Sequence, residues 1–318
     1  MVRLALLGLG VILAAVVLAW MFLGSATVSK ESSFTIPAGA SVAAVADKLE
    51  AEGLVSSASG FVLQARIFGS ESPIQAGEFL LTPGMSQGDI LAAFQSGDVI
   101  RRFVTIPEGM PSILVWERLM AEDLLTGEVA IPPEGSILPD TYAFERGQTR
   151  KSLVEQMQAA MDKALAEEWA ARKPGIAVDT MRDALILASI VEKETGKAEE
   201  RRMVAGLYSN RVRTGMKLQA DPTIIYPVTK GKPLGRRIKQ SEIAAVNGYN
   251  TYTRIGLPTG PITNPGRASI AAVLNPEATQ ALYMVADGTS GHWFASTLAE
   301  HNANVARWYA IRRERGEM

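Results

Sequence analysis

Residues 180–195 read TMRDALILASIVEKET, and the reading of this stretch decides how the larger part of the chain folds. Seven of the eight residues from Ala184 to Val191 are apolar, Ser189 being the eighth, and the chain then runs directly into Glu192, Lys193 and Glu194. The spacing predicts a helix over about 180–195. Apolar and small residues at 181, 184, 185, 188 and 191 share one face. Ile186, Leu187 and Ile190 extend the apolar surface further round, so protein is expected on most sides of this helix. Position 192 follows 188 by one turn and continues the stripe, whereas position 194 lies about 200° from 192 at ~100° per residue. Glu192 is therefore expected to be partly desolvated, which favours the protonated carboxyl and suits a general acid for glycosidic cleavage. The competing reading leaves Glu192 and Glu194 in solvent at a helix end, paired with Lys197 or Arg201. Periodicity alone does not choose between them.

Composition narrows the chemistry. The chain has 318 residues, 47% hydrophobic and 20% charged, enough for a packed core and about two domains. The net charge of −1 gives no basic stripe of the kind nucleic-acid binders carry. Without cysteine there are no disulfides, no thiolate nucleophile and no cysteine-bound zinc. The two histidines, His292 and His301, suit packing or capping better than ligation, and no H-E-x-x-H pattern occurs. A G-x-S-x-G elbow, a G-x-x-x-x-G-K-[ST] loop and a strand-linked G-x-G-x-x-G are all missing. A serine–lysine dyad has no dependable local signature and stays open. What remains is carboxylate chemistry or none, and neither a cofactor nor a metal is called for.

The first residues point to a membrane. Residues 4–23, LALLGLGVILAAVVLAWMFL, carry no charge, and a helix of that length spans the ~30 Å hydrocarbon layer. Arg3 before it assigns residues 1–3 to the cytoplasm and everything after the span to the periplasm or extracytoplasmic space. A cleaved signal peptide, with small residues at 24–26, is the competing reading. Residues 24–33 read as a polar stalk.

A small α+β module is expected over 34–98. There, strand, turn and helix appear twice, with Ser41 and Ser86 as N-caps and Gly53 and Gly97 as helix ends. Inward faces are expected at Val42, Val45, Ala46 and Leu49, and again at Ile90, Leu91 and Phe94, with a further helix near 59–68. Residues 99–318 then form a larger mixed α+β domain. It opens with another strand, a Pro107-Glu108-Gly109 turn and a helix, and contains a long helix at 151–171 and a basic-ended terminal helix.

Five segments carry a family resemblance: EGSILPDTY (134–142), ASIVEKET (188–195), LQADPTIIY (218–226), YNTYTRIGLPTGPITNPG (249–266) and AAVLNPEATQALYMVADGTSGHWFASTLAEHN (271–302). With the N-terminal span, they resemble the endolytic murein transglycosylases of the YceG-like (MltG) family across essentially the whole chain. The resemblance implies an anchored enzyme with a LysM-like module at 34–98 and a catalytic domain at 99–318. The implied activity cleaves the MurNAc-β-1,4-GlcNAc bond of nascent peptidoglycan and leaves 1,6-anhydro ends, with peptidoglycan synthases of the elongation machinery as partners. It places the catalytic acid/base on Glu192. Softer expectations for sugar contacts fall on Gln219, Asp221, Thr223, Tyr249, Asn250, Thr251, Tyr252 and Asn264, each of which could equally be a buried or turn-forming residue. The basic stretch 230–239 reads as a solvated loop that could meet anionic stem peptides. Gly248 stands where the family often has proline, and the 34–98 module matches LysM only in its strand–helix plan. Two other functions stay open: a glycan-binding scaffold without activity, and a water-using muramidase with Asp221 as base.

Overall fold

The computed structural model describes residues 27–317, and its small two-stranded sheets and many helices make it mixed α+β. The expected anchor at 4–23, with 1–3 and 24–26, lies outside the described residues. Among the described residues no helix is long and apolar enough to cross a membrane. The chain divides into two compact units, one running to residue 102 and including 143–147, the other built from 103–142 and 148–317.

In the first unit β1 (Ser32–Ile36) pairs antiparallel with β2 (Gly77–Leu81), Phe34 opposite Phe79. Helices α1 (Val42–Ala51) and α2 (Ala58–Phe68) lie between them in sequence, and α3 (Gln87–Ser96) follows. The expected caps are present. Ser41 accepts from the Ala44 N–H, Ser86 forms a reciprocal capping box with Asp89, and Gly97 takes the left-handed conformation at φ 72°. Val45, Ala46 and Leu49 are buried as expected, whereas Val42 at the start of α1 is exposed. Phe94 joins the sheet to α3, its ring 5.5 Å from Phe34 and 4.8 Å from Phe79. Each such ring, fully buried, contributes roughly 1.5–3 kcal/mol. Glu78, only 3% exposed, is clamped by Arg102 at 2.7 Å and Arg146 at 2.9 Å. Burial opposes its charge, but the two guanidinium groups outweigh it and hold the carboxyl below its usual range.

Strands β3 (Arg102–Thr105) and β4 (Thr141–Phe144) pair in another small sheet, and the second unit holds α4 (Ser112–Met120) and the long α5 (Arg150–Ala170). The quoted stretch forms α6 (Met181–Glu194), capped by Thr180, whose side chain accepts from the Asp183 N–H. Everything on α6 from Ile186 to Val191 is buried, and so is Ala184. A 3-10 turn (Ala198–Glu200) leads to α7 (Arg201–Arg213), then come α8 (Pro222–Thr229), α9 (Gln240–Ile243) and α10 (Arg267–Leu274). The chain closes with an antiparallel hairpin, β5 (Tyr283–Ala286) and β6 (His292–Ala295), and α11 (Leu298–Glu314). Helices α5, α7, α8 and α10 pack around α6, and its small residues Ala184 and Ala188 let them come close. At Gly206 of α7 a Cβ would lie 2.6 Å from the Glu277 carbonyl oxygen, so glycine is needed there for the chain to pass.

Candidate active site

Ser189, the one polar residue of the apolar run, explains how the site is built. Its hydroxyl donates to the Ile186 carbonyl at 2.7 Å and accepts from the Ile262 N–H at 3.1 Å, fastening the 257–266 loop to α6. One turn later, Glu192 receives the end of the same loop. Its Oε2 accepts from the Gly266 N–H at 2.9 Å and from the Ser269 hydroxyl at 2.7 Å. Gly266 caps α10, so the Glu192 side chain is held at the N-terminus of that helix. Glu192 is half-buried and open to an incoming group. Both hydrogen bonds fall on Oε2 and leave Oε1 outside them.

The Pro107–Met110 turn covers this carboxylate. A Cβ on Gly109 would stand 3.5 Å from Glu192 Cγ, and Lys193 Nζ donates to the Gly109 carbonyl at 3.5 Å. Glu108 reaches from the turn over Gly266 and pairs with Arg201 at 3.4 Å. Glu108, Gly266 and Ser269 were not singled out as site residues from sequence, and Arg201 was named only as a partner for Glu192 or Glu194, where the structure pairs it with Glu108. The only signal was the unexplained carboxylate in the Pro-Glu-Gly turn.

Glu194 corrects the solvent-facing alternative read from the helical wheel. It faces α7 and the 218–221 segment, and burial, reinforced by the nearby charge of Asp221, pushes its carboxyl up to about 7. The Tyr208 hydroxyl and Arg211 counter that push in part. Glu194 Oε1 is wholly buried without a hydrogen-bond partner. Desolvation therefore raises the Glu194 carboxyl on the side of α6 that the helical wheel left to solvent. Near it, the Tyr252 hydroxyl donates to Asp221 Oδ1 at 2.6 Å. Gln219 lies exposed beside them in sequence, in the left-handed region at φ 52°.

The remaining expected sugar contacts divide by burial. Thr223 and Thr251 are fully buried with their hydroxyls 2.8 Å apart; Thr223 donates to the Ala220 carbonyl, and Thr251 accepts from the Ala220 N–H. Asn250 is fully buried, its Nδ2 donating to the carbonyls of Glu242, Ile243 and Ala245 and its Oδ1 accepting from the Tyr252 N–H. Asn264 is also fully buried. Its Oδ1 accepts from the Ile137 N–H, and its Nδ2 donates to the Met110 carbonyl and to Ser112 Oγ. These four side chains hold loops together, where sugar contact was the expectation. Tyr249 is half-buried, its ring 4.8 Å from Tyr226. Glu134 stands behind Tyr226 and accepts from the Ser112 N–H and hydroxyl, with burial raising its carboxyl. The EGSILPDTY and TNPG segments are therefore joined through a shared interior network. His292 pairs with Glu200 at 2.9 Å and His301 stacks on Tyr283.

Two clefts adjoin the residues around Glu192. One of about 350 Å³ is lined by Lys193, Tyr226, Lys232, Leu234 and Ile262. The other, of about 400 Å³, is lined by Arg201, Arg202, Ala268, Ala271 and Asn275. Among the described residues no group of acidic and histidine side chains is arranged to hold a metal ion.

Residues 34–307 match the model of the YceG-like family. A protein of Streptococcus pneumoniae named endolytic murein transglycosylase is 30% identical over 85% of this chain, which spans 57% of that protein. One of Bacillus subtilis with the same name is 27% identical over 91% of this chain and 89% of that protein. A crystal structure of a yceG-like protein from Listeria monocytogenes, 27% identical, covers 87% of this chain and 99% of that one with a TM-score of 0.53. With the family match extending over most of the chain, and the Glu192 helix and its loop partners within it, this protein belongs to the YceG-like family.

Proposed function

We propose that this protein is an endolytic peptidoglycan transglycosylase. It cleaves the MurNAc-β-1,4-GlcNAc bond within glycan strands and leaves 1,6-anhydro-MurNAc ends. The names of its relatives support the reaction class. The observation that carries the site is Glu192, a half-buried carboxyl fixed at the α10 N-terminus by Gly266 and Ser269. In the proposed reaction Glu192 protonates the leaving glycosidic oxygen. Its carboxylate then takes the proton of the muramic C6 hydroxyl as that oxygen closes on C1. One group serves both steps, so no water or covalent intermediate is needed. The uncharged 4–23 segment supports anchoring in the bacterial cytoplasmic membrane with the N-terminus inside, and action beside the synthases that extend the strands.

A second reading of the acid is favoured by one observation. Burial pushes the Glu194 carboxyl up to about 7, close to the Asp221–Tyr252 pair. Digestion of purified glycan strands with the unmodified protein, Glu192→Gln and Glu194→Gln separates the readings once the new ends are identified by mass spectrometry. Anhydro ends lost only in Glu192→Gln support the main reading; loss only in Glu194→Gln transfers the role. Reducing ends would identify a muramidase, and uncut strands with unmodified protein would leave a glycan-binding scaffold.

A further inference from the structure

We infer that Glu108 is a further catalytic residue of the reaction proposed above, its carboxylate stabilising positive charge on the sugar ring while Glu192 handles the protons. The inference rests on that proposed reaction. Gly266 is the point at which the two acids converge. Its N–H donates to Glu192 Oε2 at 2.9 Å. On its other side Glu108 is packed so closely that a Cβ there would lie 2.0 Å from Oε1, 2.4 Å from Cδ and 2.7 Å from Cγ. Chained through standard backbone lengths, these distances put the two carboxylates no more than about 8 Å apart. Paired carboxylates that flank a scissile glycosidic bond stand roughly 5–9.5 Å apart.

The surroundings separate the roles. Arg201 pairs with Glu108, and its side chain is 12% exposed where that of Glu108 is 47% exposed. The charge pair is thus held from the protein side and open on the carboxylate side. The turn is fixed as well: Gly109 adopts φ 71° and its N–H donates to the Asn264 carbonyl at 3.0 Å. Asn264, buried on three segments, thereby holds the backbone from which Glu108 projects. In the transition state the C1–O4 bond breaks as Glu192 gives its proton to O4, and the C6 oxygen bonds to C1 as its proton passes to Glu192. Positive charge builds at C1 and the ring oxygen between these events. Glu108 exchanges no proton and forms no bond; its fixed negative charge lowers the barrier electrostatically.

Steady-state kinetics of the full chain on purified uncrosslinked glycan strands tests this. Glu108→Gln keeps the shape and an acceptor for Arg201 but removes the charge, and is expected to lower kcat about 100-fold with KM changed less than about threefold. Glu108→Asp disturbs the packing more than glutamine does but keeps the charge, and is expected to retain about tenfold more kcat than Glu108→Gln. A kcat for Glu108→Gln within about threefold of the unmodified protein, a rise in KM alone, or the reverse order of the two variants would overturn the inference whatever their melting temperatures. Strands left uncut by the unmodified protein would overturn the proposed reaction and this inference with it.

Discussion

The Ser269 hydroxyl donates to Oε2 of Glu192 at 2.7 Å across 77 residues of sequence, joining the first turn of α10 to the last turn of α6. A hydrogen bond to a charged group is worth about 1.5–3 kcal/mol. Ser269→Ala removes it without opening a cavity larger than one oxygen, while the Gly266 N–H stays in place. The expected result is a kcat lower by about 10- to 100-fold with KM nearly unchanged. Equal losses in melting temperature and activity would show that the hydroxyl serves folding alone.

Gly266 offers a steric test of the same arrangement. Its φ of −69° is open to any residue, so Gly266→Ala strains no backbone. The added methyl would collide with the Glu108 carboxylate, the end of a flexible side chain that can swing away. The variant is therefore expected to fold with a melting temperature close to that of the unmodified protein and to lose kcat as Glu108→Gln does. A crystal structure with Glu108 still over position 266 would contradict this.

What the sequence made legible follows from the range of the forces involved. The Ser41 and Ser86 caps, Gly97 and the register of α6 depend on neighbours within one turn, and they appear where the pattern predicts them. The partners of Glu192 are 74 and 77 residues away, and no local pattern encodes them. Asn250 and Asn264 mislead for a different reason. An amide that would read an N-acetyl group is chemically the same as one that satisfies loop carbonyls, and only burial separates the two. Glu194 was placed by a wheel that knows α6 alone, whereas α7 and the 218–221 segment enclose that side. At Gly248, where proline was the family habit, a Cβ would fall within 3 Å of the Thr259 side chain (2.8 Å to Cγ2).

Asn264 gives a prediction that separates scaffold from sugar contact. Its side chain makes hydrogen bonds to Ile137, Met110 and Ser112 in the interior. Asn264→Ala would strand those groups at about 1–3 kcal/mol each, and thermal unfolding is expected to drop by several degrees or more. A variant with an unchanged melting temperature and a raised KM would instead place Asn264 in contact with substrate.

Glu194 makes stability depend on pH with a definite sign. The folded protein keeps this proton up to about pH 7, whereas the unfolded chain releases it near the ordinary value of 4.5. Between those values the folded state binds more protons, so stability falls as pH rises through the interval and levels off above it. Burial is the main cause and the Asp221 charge adds to it; Tyr208 and Arg211 oppose both. Glu194→Gln cannot titrate and mimics the protonated form. It is expected to flatten this slope and to be more stable than the unmodified protein at pH 8 by on the order of 3 kcal/mol. Near pH 4.5 the two should differ little. Urea denaturation across this range measures both quantities. A Glu194→Gln protein with an unchanged slope would place the titration on another group.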